Sequence, residues 1–202
     1  MTGWPNRVKV MQENWIGRSE GLEFSFDVPA LNEKISVYTT RPDTAFGVTF
    51  LALAPEHPLI EKICAISDRA DEVKKFVERA RSQSDIERTS SESEKEGIFT
   101  GVTCVNPFNG GEVQIWITNY VVFEYGTGAV MGVPTHDERD WMFATKYGLN
   151  KIWVIDNPKE PLDFATMTNA YVEKVGVLVN SGKFTGMEMH AAISAIIDEA
   201  EQ

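Results

Sequence analysis

"KISVYTTRPDTAFGVTFLALAP", residues 34–55, holds two different strand patterns on either side of a turn. In "KISVYTT" apolar and polar residues alternate, the period-two signature of a strand with one buried face. In "GVTFLALAP" the apolar run is nearly continuous and of strand length, which predicts a strand covered on both faces. Between them Pro42 fixes its own φ and biases Arg41 away from the helical region, so the chain must turn there. A turn at a strand end projects Thr40, Asp43 and Thr44 toward whatever lies above the sheet.

Outward from this stretch, "GLEFSFDV" (21–28) alternates in the same way, with Pro29, Asn32 and Glu33 as a hairpin connection. Pro58 opens a helical stretch, and residues 70–83 place Val73, Phe76, Val77 and Ala80 on one helix face. Residues 84–97, "SDIERTSSESEKEG", carry almost no apolar side chains and read as a mobile surface loop. Strands are expected over 98–107, 113–126 and 128–134. At 135–150 the period changes: Thr135 and Glu138 make a T-x-x-E capping box, and Gly148 stands at the helix C-cap. A strand "KIWVI" (151–155), an acidic loop, "GVLVNSGKFTG" (176–186) and a last amphipathic helix around 189–200 complete the chain. Residues 4–20 read as a short helical lead-in with a turn at Gly17. No internal repeat is visible. The expected fold is α+β and β-rich, a closed β-barrel core with surrounding α-helices, in a single domain spanning 1–202.

Composition narrows function. The net charge is −11, and a free-standing nucleic-acid binder normally carries a basic footprint. If this chain meets RNA, another body must deliver it. No run approaches the roughly 18 apolar residues of a membrane span, and "MTGWPNRVKV" has no apolar signal-peptide centre, so a cytoplasmic location is expected. Two cysteines, Cys64 and Cys104, form no CxxC and predict neither a disulfide framework nor a zinc site. P-loop and Rossmann glycine patterns are absent, as is a G-x-S-x-G elbow.

Two constellations remain. Thr39, Thr40, Arg41, Asp43 and Thr44 cluster hydroxyls beside a charge pair; hydroxyls both donate and accept, so they can hold a water and polarise a carbonyl. The bland alternative is a strand with threonines in good β positions and an Asx-type turn. In "EYGTGAVMGVPTHDERD" (124–140), Asp137 sits where a carboxylate opposes the helix dipole, a sufficient structural role. Asp140 borders an apolar helix face and needs a partner, either a local Lys or Arg or a ligand ammonium. His136 and Asp137 also resemble a metal-dependent phosphohydrolase pair, but His57 and His190 are not at ligand spacing.

Taken jointly, "NWIGRSEG", "TTRPDTAFGVTFLALAPEHP", "EGIFTG", "YGTGAVMGVPTHDERD" and "GVLVNSGKFTG" resemble, in this order, the inserted editing domain (connective polypeptide) of bacterial-type leucyl-tRNA synthetases. The resemblance covers essentially the whole chain, with residues 1–20 near the junction to the synthetase body. The HIGH and KMSKS signatures of that body are absent, so ATP and magnesium would belong elsewhere, and editing implies no cofactor and no metal. The resemblance implies hydrolysis of the ester on mischarged tRNA(Leu) carrying isoleucine, norvaline or methionine, with leucyl-tRNA(Leu) spared. One methylene discriminates by only about 1–3 kcal/mol, hence the second site. It further implies that Asp140 binds the α-ammonium, that Thr39, Thr40 and Arg41 line the ester and terminal ribose, and that Thr44 gates against leucine. Met131, Val133 and Tyr125 would shape the pockets, with His136, Asp137 and Asp43 beside the substrate. A water held by threonine hydroxyls, backbone groups and the free ribose hydroxyl would attack the ester. The implied partners are the 3′ aminoacylated end of tRNA(Leu) and the rest of the synthetase chain, around a monomeric insert. The rival class is a module that binds the charged adenosine end without hydrolysing it. Ala45, Gly132 and Thr135 depart from the family's usual residues.

Overall fold

The computed structural model describes residues 5, 8, 21–84, 87, 88, 94–124 and 126–201. The helical lead-in expected at 4–20 lies outside these apart from Pro5 and Val8, as does Tyr125. The alternating segments form β1 (Leu22–Val28) and β2 (Glu33–Thr39), an antiparallel hairpin with Phe26 opposite Ile35 and Phe24 opposite Val37. The Arg41-Pro42 step leads into a 3-10 helix, Pro42–Gly47, and then β3 (Phe50–Leu53). Two helices, α1 (Leu59–Ile66) and α2 (Ala70–Arg81), precede β4 (Gly97–Val105), β5 (Glu112–Thr118) and β6 (Ala129–Gly132). Helix α3 (Glu138–Tyr147), the two-residue strands β7 (Ile155–Asp156) and β8 (Val177–Leu178), and α4 (Met189–Ala200) follow.

Strand β3 shows why this is a layered fold. All four of its residues are buried: Leu51 and Leu53 enter one core with Phe26, Ile35, Val37 and Ile63, while Phe50 and Ala52 face Trp116 and Phe143 on the other side. The continuous apolar run therefore serves two cores, as a doubly covered strand must. A third core joins α4 to the 3-10 helix and the β7–β8 ribbon through Phe46, Trp153, Ile155, Phe184, Met189 and Ile196.

The expected closed barrel is not present. The six main strands form an open sheet in the order β2-β1-β4-β5-β3-β6, with β3 parallel to β5 and the other pairs antiparallel. Its edge strands, β2 and β6, come within 8 Å between Cα atoms yet form no ladder. The local sequence explains the gap. Strand β2 ends at the turn into Pro42, and β6 is four residues long, stopped by Pro134. Beyond it, the Val133 N–H donates to Asp140 Oδ2 at 2.8 Å rather than to a strand neighbour. The mixed α/β sheet is thus left with a seam between its two edges.

Several expected strands are shorter than their apolar runs because side chains take over their backbone groups. The 113–126 stretch leaves the ladder at Thr118: the Arg88 guanidinium binds the carbonyls of Asn119 and Val121 and pairs with Glu56. Arg88 is thereby a buried anchor inside the segment expected as a surface loop; residues 85, 86 and 89–93 of that segment lie outside the described ones. In "KIWVI" only Ile155 pairs, since His136 Nε2 accepts the N–H groups of Val154 and Ile155 at 3.2 Å each. The α3 start also differs from the expected capping box. The N-cap is Asp137, whose Oδ1 accepts from Arg139 N at 2.8 Å and Asp140 N at 3.1 Å, a charge favourably placed against the helix dipole. Thr135 is buried instead, donating to Ile152 O at 2.6 Å. Gly148 caps the far end at φ 68°, as expected.

Candidate active site

The seam between β2 and β6 opens into a cleft of about 360 Å³. Thr39, Thr40, Arg41 and Thr44 line it from the β2 end and the 3-10 helix; Met131 and Val133 come from β6 and its extension. His136, Asp137 and Asp140 come from the start of α3. Nine of the eleven residues expected from the sequence therefore share one concavity. Tyr125 lies outside the described residues. Asp43 does not line the cleft. It is 0% exposed and binds the Arg41 guanidinium through Nε (3.0 and 3.2 Å) and Nη2 (2.8 Å). A buried carboxylate needs such a paired, hydrogen-bonded cation, which is why Asp43 turns inward rather than toward the sheet end.

Most polar atoms of the turn are held by one another. Thr39 Oγ1 accepts from Arg41 N at 2.9 Å, so its own proton remains available to donate into the cleft. The Thr44 hydroxyl donates to Arg41 O at 2.9 Å, which holds its χ1 and fixes the side chain as a wall. Thr40 is exposed at the rim. Arg41 is clamped by Asp43 on one edge and touches Met189 Sδ of α4 at 3.7 Å, while its Nη1 makes no hydrogen bond to a described residue. The 3-10 helix is held from behind by Asn106, whose Nδ2 donates to Ala45 O at 2.9 Å, and by Asn109, which donates to Phe46 O at 3.0 Å.

Opposite the turn stands Asp140. One carboxylate oxygen holds the Val133 N–H, and the other accepts no hydrogen bond from a described residue. Burial and the neighbouring Asp137 charge push its carboxyl up to about 7, against the smaller opposing pulls of Val133 N–H and Arg139. Such a group is poised for a cation. His136 cannot serve as a base: with Nε2 accepting two N–H groups, Nδ1 carries the proton toward Tyr171 O at 3.2 Å, and burial pushes the ring down to about 4. It is a buried latch beneath the cleft. Among the described residues no cluster of three His, Cys, Asp or Glu side chains could hold a metal ion, and no helix is long and apolar enough to cross a membrane.

Three lining residues were not anticipated: Tyr38, Val130 and Arg139. For Tyr38 the signal was present, since strand alternation places it on the same face as Thr40. Asn106 and Asn109 could not be found from the sequence, because each acts on a segment about sixty residues away.

Comparison with known proteins agrees with the motif reading. The family model described as "Leucyl-tRNA synthetase, editing domain" matches residues 13–201. The chain is 52% identical to the leucine–tRNA ligase of Symbiobacterium thermophilum and 48% identical to that of Thermosipho melanesiensis, covering 99% and 100% of this chain. It spans 24% of the length of each relative. Among solved structures it resembles the LeuRS of Agrobacterium radiobacter K84, from a ternary complex described as LeuRS-tRNA-LeuAMS. The TM-score there is 0.69 at 36% identity, over 99% of this chain and 21% of that one. The chain belongs to the leucyl-tRNA synthetase editing-domain family.

Proposed function

We propose that the cleft hydrolyses the ester between a wrong amino acid and the terminal adenosine of tRNA(Leu), sparing leucyl-tRNA(Leu). The observation that carries this reading is the opposition of an open Asp140 carboxylate oxygen to the Thr39–Thr44 turn across one cleft. The substrate's α-ammonium sits against Asp140, a charge-assisted contact that returns the carboxyl to its ionised form. The ester carbonyl then lies toward Thr39 and Arg41, whose remaining O–H and N–H groups stabilise the oxyanion formed when a water oxygen attacks the carbonyl carbon. Collapse breaks the bond to the ribose oxygen, which leaves with a proton, and releases the free amino acid. Thr44, braced on Arg41 O, meets the γ-branch of leucine and excludes it. The rest of the synthetase supplies the tRNA grip that this acidic chain lacks.

The test is deacylation of isoleucyl- and leucyl-tRNA(Leu) at high protein concentration by the native chain, Asp140→Ala and Thr44→Ala, with and without chelator. Cleavage of the isoleucyl ester alone, lost in Asp140→Ala and untouched by chelator, is expected. Binding of a non-hydrolysable aminoacyl-adenosine with no turnover of either ester would replace the hydrolase with a binding module.

A further inference from the structure

Tyr38 is 46% exposed on the outward face of β2, where its companions Lys34, Ser36 and Thr40 are polar. The ring is seated there by its surroundings. A Cβ at Gly21 would lie 2.4 Å from Tyr38 Oη and 2.5 Å from Cζ, so the far end of the phenol rests over a chain position without a side chain. Across the cleft Val130 of β6 is 40% exposed, a second apolar group that no core uses. Both line the same cleft as Thr39, Thr40 and Asp140.

We propose that Tyr38 is a stacking platform for a nucleobase at the 3′ end of the RNA, with Val130 as the apolar wall on the opposite lip. This rests on the reading of the cleft as an RNA-ester site. Two residues along a strand span about 7 Å, so Tyr38 and Thr40, on one face, are separated by roughly the breadth of a ribose. A ribose whose ester lies at Thr40 leaves its base, or the base before it, above Tyr38. Every base has a π-face and the phenol offers a flat, half-wet partner, so the contact needs no sequence-reading hydrogen bond.

Two short RNAs ending in CCA, carrying 2-aminopurine at the last or the penultimate position, test this when titrated with the full chain. Stacking on the ring quenches the fluorescence of the probe whose base is seated there, which identifies the base. Tyr38→Phe is expected to keep the quenching. Tyr38→Leu, which fills the space without a π-face, is expected to lose it and to bind at least about fivefold more weakly. In parallel, the KM for mischarged tRNA rises in Tyr38→Leu while kcat holds. Undiminished quenching and KM in Tyr38→Leu, or no quenching of either probe by the native chain at its highest soluble concentration, overturns the proposal. If the native chain cleaves no ester but quenching still depends on Tyr38, the hydrolase reading fails and the platform stands.

Discussion

Burial and the Asp137 charge hold the Asp140 carboxyl at about 7, above its ordinary 3.8. The folded protein therefore binds this proton more tightly than the unfolded chain does. The stability the group contributes is fully present below about 3.8 and is lost as pH rises through about 7. Asp140→Asn keeps an acceptor for the Val133 N–H and removes the buried charge. It is predicted to melt about 8–16 °C above the native chain at pH 8, for about 4 kcal/mol of relieved destabilisation, with the gap shrinking at pH 5. The same substitution removes the ammonium partner and is predicted to lower kcat/KM on isoleucyl-tRNA(Leu) about 30-fold or more. A native kcat/KM profile that climbs with pH through about 7, read by single-turnover deacylation, follows from the same ionisation. At Thr44 the prediction is one of specificity. Thr44→Ala removes the braced wall and raises leucyl-tRNA(Leu) cleavage by about 10–200-fold, the worth of one methyl-sized contact. Unchanged discrimination would place the gate elsewhere.

The 3-10 helix Pro42–Gly47 carries Thr44 and is too short to hold itself in place. Its position comes from the buried Asn106 on one side and from α4, which presents Met189 to Arg41, on another. Asn106→Ala strands the Ala45 carbonyl in the interior, at a cost of about 1–3 kcal/mol. The expected loss is about 4–8 °C in Tm, measured by calorimetry, together with reduced deacylation although Asn106 touches no part of the cleft. The element boundaries missed in the sequence have one cause. The strand at 113–126 and the strand at 151–155 were read from apolar runs, yet Arg88 and His136 occupy backbone groups that would have made ladders. Propensity sees the run; it does not see a side chain arriving from thirty residues away.

For the whole molecule, His136 ties the start of α3 to the 153–155 segment and to Tyr171, and so joins the main sheet to the β7–β8 unit. Its ring is held down at about 4 from an ordinary 6.5 by burial. Here the sign is opposite to that of Asp140: the stability is fully present above about 6.5 and erodes as pH falls toward about 4, by about 3 kcal/mol. Asp140 pulls the other way over the same window, so the check is a difference: in acid titration followed by circular dichroism the native chain should lose stability relative to His136→Asn as pH falls from about 6.5 toward 4. The net charge of −11 acts over the same scale. The chain by itself is predicted to bind tRNA weakly, and more weakly with added salt, in a filter-binding or anisotropy titration.

The sequence by itself determined the alternating hairpin, the doubly covered β3, the C-cap at Gly148 and the motif order that points to an editing domain. These are encoded in period, φ preference and short-range spacing, which a linear reading can see. Nine of the eleven expected site residues also lie in one cleft, because the turn at Arg41-Pro42 and the α3 start each carry their residues as local clusters. Only the tertiary structure decided that the sheet stays open, that Asp43 faces inward to clamp Arg41, and that His136 ties α3 to the 154–155 backbone. Each of those depends on a partner distant in the chain or on burial that exists only after folding. The seam between β2 and β6 stays open because β2 ends at the turn into Pro42, β6 stops after four residues, and the Val133 N–H beyond it goes to the Asp140 carboxylate instead of a neighbouring strand.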